Sequence, residues 1–129
     1  INSATQEDLM TVRGIGQKLS KRILSYKKLL GGFSTIEQLN EVWGLDSLVV
    51  DKLKSLFVVV EIPVIEKIPV NTATFKEVLS IVYLDYKTTK LIFSYKNSVG
   101  NIENLQELKK IDGFPVEKYD RIALYLRAN

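Results

Sequence analysis

The chain repeats itself once, without a gap, at an offset of 69 residues. The opening residues INSAT return as VNTAT at 70–74, and ILSYK at 23–27 returns as IFSYK at 92–96. Where identity is lost, apolar residues still align with apolar residues, as Leu9 does with Val78. Because sequences that keep such a register bury equivalent cores, the repeat predicts two copies of one small domain.

The two copies are predicted to occupy residues 1–56 and 70–129, and residues 57–69 are predicted to connect them. The connector contains a run of β-branched residues and two prolines, Pro63 and Pro69. Such a composition favours an extended segment over a helix. Two interpretations of its valines stay open at this stage, since they either pair as a short strand or pack on one of the copies.

Each copy is predicted to be all-helical. Pairs of a hydroxyl residue and a carboxylate three positions later match the capping box that opens a helix: Thr5 with Asp8, Ser34 with Glu37, and Thr74 with Glu77. The first helix is expected to direct Leu9 and Met10 toward the core. Apolar spacing then gives the second helix one buried face, formed by Leu19, Ile23, Tyr26 and Leu30. The predicted helices span 5–12, 17–30, 34–42, 47–57, 74–82, 86–99, 104–111 and 115–127.

Composition excludes several classes of function. The chain has no Cys and no His, which removes thiolate metal sites, cysteine nucleophiles and the commonest general base. We therefore expect no metal, no cofactor, no small-molecule substrate and no enzymatic activity. Net charge is only +3 and the two copies are equally basic, so charge alone does not identify an anionic partner. No run is apolar enough to span a membrane, and a signal or anchor on a longer parent protein would not be visible.

Two short reversals join helices in the first copy. The first has the sequence VRGIGQK at residues 12–18, and the second has VWGLDS at residues 42–47. A helix, an apolar-Gly-apolar-Gly hairpin and a second helix resemble the helix-hairpin-helix motif. Further residues resemble the ComEA-type DNA-receptor domain of bacterial competence: the opening NSAT, then Gly14-Ile15-Gly16, Tyr26-Lys27, Gly32-Phe33, Leu39 and Gly44. The likeness covers the first copy and, more weakly, the second.

This resemblance implies an all-α fold of two tandem double helix-hairpin-helix domains. It also implies binding to the phosphate backbone of double-stranded DNA without sequence preference, in DNA uptake or repair. Glycines 14 and 16 allow a sharp turn that approaches a phosphate closely, while the amides and dipole of the next helix attract the anion. Ile15 is expected to point inward. The predicted DNA-binding residues are Gly14, Ile15, Gly16, Gln17, Lys18, Lys21, Gly44, Leu45 and Ser47.

The other three reversals depart from this pattern. Asp46 stands where the second glycine is expected, where it either repels a phosphate or caps the next helix. The third reversal, VYLDY at residues 82–86, has lost both glycines. The fourth keeps Gly113 but follows with Pro115, which removes one amide. The second copy is therefore expected to fold without binding DNA.

Each feature of the predicted site also has a structural interpretation. Gly14 and Gly16 are also compatible with a turn that has no binding role. Lys21, together with Arg22 and Lys28, is equally compatible with a solvated helix face. Trp43 is expected to pack between the two hairpins, with an exposed stacking surface as the alternative. Tyr26 and Tyr95 are expected in the core, with their phenols reaching a carbonyl or water.

Three functions follow from these patterns. DNA binding through the first hairpin is the leading hypothesis. A structural or protein-interaction module that keeps the fold and has lost DNA binding is the second, motivated by the degenerate second copy, and it implies a protein partner. The third is a glycosylase, because helix-hairpin-helix glycosylases resemble this hairpin and place a catalytic lysine where Lys18 lies. They also need a later aspartate and a pocket for a flipped base, and the next carboxylate here is Glu37.

Overall fold

The computed structural model describes residues 1–128. The chain forms two compact units, Ile1–Val64 and Ile65–Asn129. The segment 57–69, predicted as a separate connector, is divided between them at residue 64. Hydrogen bonds explain the division: the amino group of Ile1 donates to the Val58 carbonyl at 2.7 Å, whereas the amide of Ile68 donates to the Tyr125 carbonyl at 2.8 Å.

Both units are helical and share a short α-helix, a long α-helix, a six-residue 3₁₀ segment and a final α-helix in that order, while the second unit adds two short strands and another 3₁₀ segment. The first contains α1 (Gln6–Met10), α2 (Gln17–Leu30), a 3₁₀ segment (Ile36–Glu41) and α3 (Ser47–Leu56). The second contains β1 (Ile68–Pro69), α4 (Phe75–Leu79), α5 (Tyr86–Val99), 3₁₀ segments at Leu105–Lys110 and Val116–Lys118, α6 (Tyr119–Ile122) and β2 (Leu126–Arg127). The predicted repeat of helical hairpins is thus present in both units.

The predicted fourth helix of the second copy, 115–127, is the largest correction. It ends at Ile122, and β2 then pairs in parallel with β1, with Ile68 opposite Leu126. Backbone hydrogen bonds between distant residues hold this pair, which helical spacing does not reveal. The connector valines take no part in it, and Val58, Val60 and Val64 are exposed.

The third helix of each copy is a 3₁₀ segment of six residues rather than the predicted α-helix. A run this short, fixed at one end by a cap and at the other by a reversal, suits the tighter 3₁₀ geometry. The predicted capping pair Ser34–Glu37 is wrong by one residue, because Gln38 Oε1 accepts the amides of Ser34 and Thr35. The boxes Thr5–Asp8 and Thr74–Glu77 are confirmed.

An asparagine clamp stabilises the same place in each unit. Asn2 Nδ2 donates to the Phe33 carbonyl at 2.9 Å, and Asn2 Oδ1 accepts the Phe33 amide at 2.7 Å. Asn71 forms the same pair of bonds with Ile102, at 2.7 and 2.8 Å. These bonds fix the start of each copy against the residues that follow its long helix.

The two cores are built from equivalent residues. Leu9, Ile23 and Phe33 are fully buried in the first unit, as Val78, Ile92 and Ile102 are in the second. Met10, expected in the core, is instead 40 % exposed. Five-residue α1 has room for one inward side chain, and Leu9 occupies that place.

Tyr26 and Tyr95, expected in the core, are only half-buried. Both donate to a carboxylate at 2.7 Å, Tyr26 to Glu41 and Tyr95 to Glu107. This bond raises the pKa of Tyr95 and lowers the pKa of Glu107. Each long helix is thereby tied to the 3₁₀ segment of its own unit.

Candidate nucleic-acid interface

Four short reversals separate the helices, and all four close through the same backbone hydrogen bond. We call them hairpin one (residues 12–16), hairpin two (42–46), hairpin three (81–85) and hairpin four (111–115). In each, the fourth residue donates its amide to the carbonyl of the first. The bonds run from Ile15 to Val12 at 3.0 Å, Leu45 to Val42 at 3.4 Å, Leu84 to Ile81 at 3.0 Å and Phe114 to Ile111 at 3.1 Å.

Hairpin one turns through Gly14, whose φ of +100° is in the region that favours glycine. A Cβ built at Gly14 would lie 3.0 Å from Val49 Cγ2, so the backbone here packs directly on α3. Ile15 is buried, as predicted. Gly14 therefore has two structural reasons to be glycine.

Gly16 has neither of these reasons. It precedes α2 with φ −104° and ψ −162°, an extended conformation that any residue adopts, and a Cβ built there meets nothing within 4 Å. It is exposed and supplies no side-chain cap to α2. The fold would accept a larger residue at position 16.

The uncapped start of α2 leaves main-chain donors available. Within residues 1–128, no hydrogen bond satisfies the amides of Gly16 and of the first three residues of α2, Gln17, Lys18 and Leu19. Gly16, Gln17 and Lys18 are exposed, and Lys21 is exposed one turn further along. Free amides, a positive helix end and two ammonium groups therefore share one solvent-facing corner, which suits an oxyanion.

Hairpins two and three begin their helices differently. Asp46 Oδ1 accepts the Val49 amide at 2.9 Å, and Asp85 Oδ1 accepts the Thr88 amide at 2.7 Å. The Thr88 bonds lower the pKa of Asp85, which keeps it ionised to lower pH. In both hairpins a carboxylate already occupies the place that an incoming phosphate would take. The capping role considered for Asp46 is confirmed.

The helical segment after hairpin four also begins without a side-chain cap, but it differs from the start of α2 in other ways. Pro115 carries no amide, and the 3₁₀ segment that follows has only three residues, with Glu117 in its first turn. A short 3₁₀ segment has a weak dipole, and the carboxylate opposes an anion.

Hairpins one and two lie side by side in the first unit. Gly14 packs on α3, which follows hairpin two, while a Cβ built at Gly44 would lie 3.5 Å from Leu19 Cδ2 of α2. The predicted residues of both hairpins are thus brought together. Within hairpin two, Gly44 and Ser47 are exposed, whereas Leu45 is half-buried and its amide is bonded to Val42.

Trp43 does not pack between the hairpins as expected. Its side chain is 78 % exposed, and Arg22 of α2 covers part of it, with the guanidinium carbon 4.3 Å from the ring centroid. Arg22 also donates to the Trp43 carbonyl at 3.1 Å. The signal that sequence reasoning missed is the pairing of Arg22 with Trp43 across the two hairpins, because it depends on the reciprocal packing of two distant turns.

Among residues 1–128, no group of three or more acidic side chains is placed to hold a metal ion. None of the helices in that range is both long and apolar enough to cross a membrane.

Comparison with known proteins identifies the repeated unit. The family described as the helix-hairpin-helix motif matches residues 1–58 and, a second time, residues 64–127. ComE operon protein 1 of Bacillus subtilis is 36 % identical over 55 residues, which cover 43 % of this chain and 27 % of that protein.

Relatives in vertebrates match most of the chain. Endonuclease/exonuclease/phosphatase family domain-containing protein 1 of Mus musculus is 25 % identical over 150 residues, covering 95 % of this chain and 26 % of that protein. The protein of the same name from Homo sapiens is 24 % identical over the same length. The chain thus spans about a quarter of the length of these relatives. No solved structure matches it.

Proposed function

The chain belongs to the helix-hairpin-helix family, and from this premise we propose that its first copy binds double-stranded DNA through the phosphate backbone, without reading sequence. Hairpin one is the phosphate site in this proposal. The amides of Gly16, Gln17 and Lys18 donate to phosphate oxygens, and the ammonium groups of Lys18 and Lys21 lie beside them. Contacts to phosphates alone position a protein on DNA and carry no sequence information.

One observation supports this assignment most strongly, which is the residue at position 16. Asp, Asn or Ser at an N-cap stabilises a helix by roughly a few tenths of a kcal/mol more than Gly does. Gly16 is free of steric or conformational constraint, so folding alone gives a slight preference for a capping side chain there. The glycine instead keeps the amides of α2 open. The likeness to ComE operon protein 1, at 36 % identity over 55 residues, supports the same function.

We assign hairpin two an assisting role on the neighbouring strand. It lies beside hairpin one and exposes Gly44 and Ser47, but the Asp46 carboxylate weakens its attraction for phosphate. The second copy holds little or no DNA in this proposal, since its hairpins end with Asp85 and Pro115. We propose no catalytic step for this chain.

A salt titration of DNA binding tests the proposal. Fluorescence anisotropy with a labelled random-sequence duplex is expected to show weak binding at low salt. The logarithm of the binding constant should fall linearly with the logarithm of salt, by about 0.9 for each phosphate neutralised. Two unrelated duplexes of one length should bind alike. No binding at low salt, or binding that added salt leaves unchanged, would refute the proposal.

A protein-interaction module is the second candidate, and the Asp85 cap of hairpin three with Pro115 of hairpin four favours it for the second copy. A protein that binds this chain with unchanged affinity when Gly16 and Lys18 are substituted, while duplex DNA does not bind, would establish it in place of the first.

A further inference from the structure

Trp43 presents the largest exposed aromatic surface in the first unit, at the tip of hairpin two. Arg22 holds it from one side, through the guanidinium over the ring and the bond to the Trp43 carbonyl. With 78 % of the side chain exposed, the opposite face of the indole is open to solvent. An indole fixed in this way loses little conformational freedom when a planar partner stacks on its free face.

Arg22 connects this surface to the proposed phosphate site. Arg22 and Lys18 are one turn apart on α2, which is about 6 Å along the helix axis. The unpaired amides of Gly16 and Gln17 lie at the start of the same helix. An aromatic face and the proposed phosphate site are therefore joined through the first turns of one helix, and grooves that bind unpaired nucleic acid combine the same two features.

The second copy lacks this surface. The residues equivalent to Arg22 and Trp43 at the repeat offset are Leu91 and Asp112. Leu91 packs on hairpin four, where a Cβ built at Gly113 would lie 3.6 Å from Leu91 Cδ1. The aromatic surface and the uncapped helix start therefore occur together, in the first copy, and neither is required by the shared fold.

We propose that the open face of Trp43 stacks on an unpaired nucleobase, so that the preferred ligand of the first copy is duplex DNA that adjoins a single-stranded tail. This inference rests on the proposed function, because hairpin one holds the backbone while Trp43 takes the base. In an intact duplex the base faces are stacked on one another, and Trp43 finds a partner only where pairing ends. The positive charge of Arg22 behind the ring lies near the backbone of that nucleotide.

The chain offers a direct optical test, because Trp43 is its only tryptophan. A labelled duplex with blunt ends, or the same duplex with a short thymine tail, is mixed with the chain. The anisotropy of the DNA label measures binding, and the fluorescence of Trp43 reports stacking. The tailed duplex is expected to bind more tightly and to quench the fluorescence, whereas the blunt duplex binds without quenching. Trp43→Ala should weaken binding of the tailed duplex by about fivefold to a hundredfold.

Control variants separate stacking from folding. Trp43→Phe retains an aromatic face and should keep most of the preference for the tail, and Leu29→Ala removes another exposed apolar side chain of the first unit without effect. Thermal unfolding checks that each variant is folded. If the blunt duplex binds in a salt-dependent way but the tail adds nothing and Trp43→Ala changes nothing, the stacking inference fails and the proposed function stands. If neither DNA binds, both fail.

Discussion

Hairpins one and three occupy equivalent places in the two copies, and Tyr83 and Asp85 of hairpin three stand where hairpin one has Gly14 and Gly16. Both close through a 3.0 Å bond, from Ile15 to Val12 and from Leu84 to Ile81. Both are followed by a helix of 14 residues that carries exposed lysines at its second and fifth positions: Lys18 and Lys21 in α2, Lys87 and Lys90 in α5. The residue before the helix is glycine in one and aspartate in the other.

The difference shows that the residue before a helix determines whether its first amides are bonded within the fold or left open. Asp85 uses the Thr88 amide internally and adds a negative charge at the helix start. Gly16 forgoes that stabilisation and leaves the donors of α2 unpaired. In our proposal, two hairpins with similar lysines therefore differ in their attraction for phosphate because of the residue before the helix.

The largest effect on DNA binding is expected from a substitution that gives hairpin one the aspartate cap of hairpin three. Gly16→Asp is expected to weaken duplex binding by about tenfold to a hundredfold, because a carboxylate beside a phosphate is repulsive. The variant should be no less stable than the parent chain, since aspartate is a good N-cap. Anisotropy and thermal unfolding measure the two effects.

Gly16→Ala is the matched control for that substitution. It leaves the amides uncapped and adds no charge, so most of the affinity should remain. If Gly16→Asp binds as tightly as Gly16→Ala, the helix start is not the phosphate site.

Removing equivalent lysines from the two copies sharpens the comparison. The double variant Lys18→Ala/Lys21→Ala should reduce the slope of the salt titration by about one for each phosphate that the chain no longer neutralises. The double variant Lys87→Ala/Lys90→Ala removes the same charge from the chain and should leave the slope unchanged. An equal reduction in the two variants would indicate that general charge, rather than hairpin one, governs binding.

The reverse conversion is expected to have a smaller effect. Asp85→Gly removes the carboxylate from hairpin three and frees the Thr88 amide beside Lys87. The variant should bind duplex somewhat more tightly, with a salt slope steeper by about one. Its second unit should be less stable, because the helix is no longer capped. Unchanged affinity in a folded variant would mean that the Asp85 cap is not what prevents hairpin three from binding DNA.

The smallest expected effect is that of low pH on the Asp85 cap. Hydrogen bonds from Thr88 lower the pKa of Asp85 in the folded chain, so its contribution to stability is present above the ordinary aspartate pKa and is lost as pH falls through the lowered value. The Thr88 amide should therefore become less protected from hydrogen exchange in acid, whereas the Leu19 amide, which has no cap, is already unprotected. NMR exchange rates across this range check the contrast, and equal pH dependence of the two amides would contradict it.

Sequence alone predicted the fold closely wherever local signals determine it. The repeat, the ends of α2 and α5 and two capping boxes all follow from nearby residues. The β1–β2 pair was missed because it joins residues about 60 positions apart, and the predicted fourth helix of the second copy therefore ran too long.

The candidate site was predicted only in part from the sequence. A glycine pair followed by lysines identified hairpin one, but not that the two glycines have different roles. That distinction needs backbone angles: Gly14 has positive φ and contacts Val49, whereas Gly16 is extended and open. The exposure of Trp43 was mispredicted, because its packing on Arg22 depends on a contact between two elements that are distant in the sequence.

The central claim, that the open amides of α2 receive the phosphate, is tested most directly by an NMR titration of the ¹⁵N-labelled chain with a short duplex. The largest shifts of amide resonances are expected at Gly16, Gln17 and Lys18, with little change at the equivalent Asp85, Tyr86 and Lys87. Shifts of equal size at the two helix starts, or shifts that spare residues 16–18 while DNA binds, would contradict it.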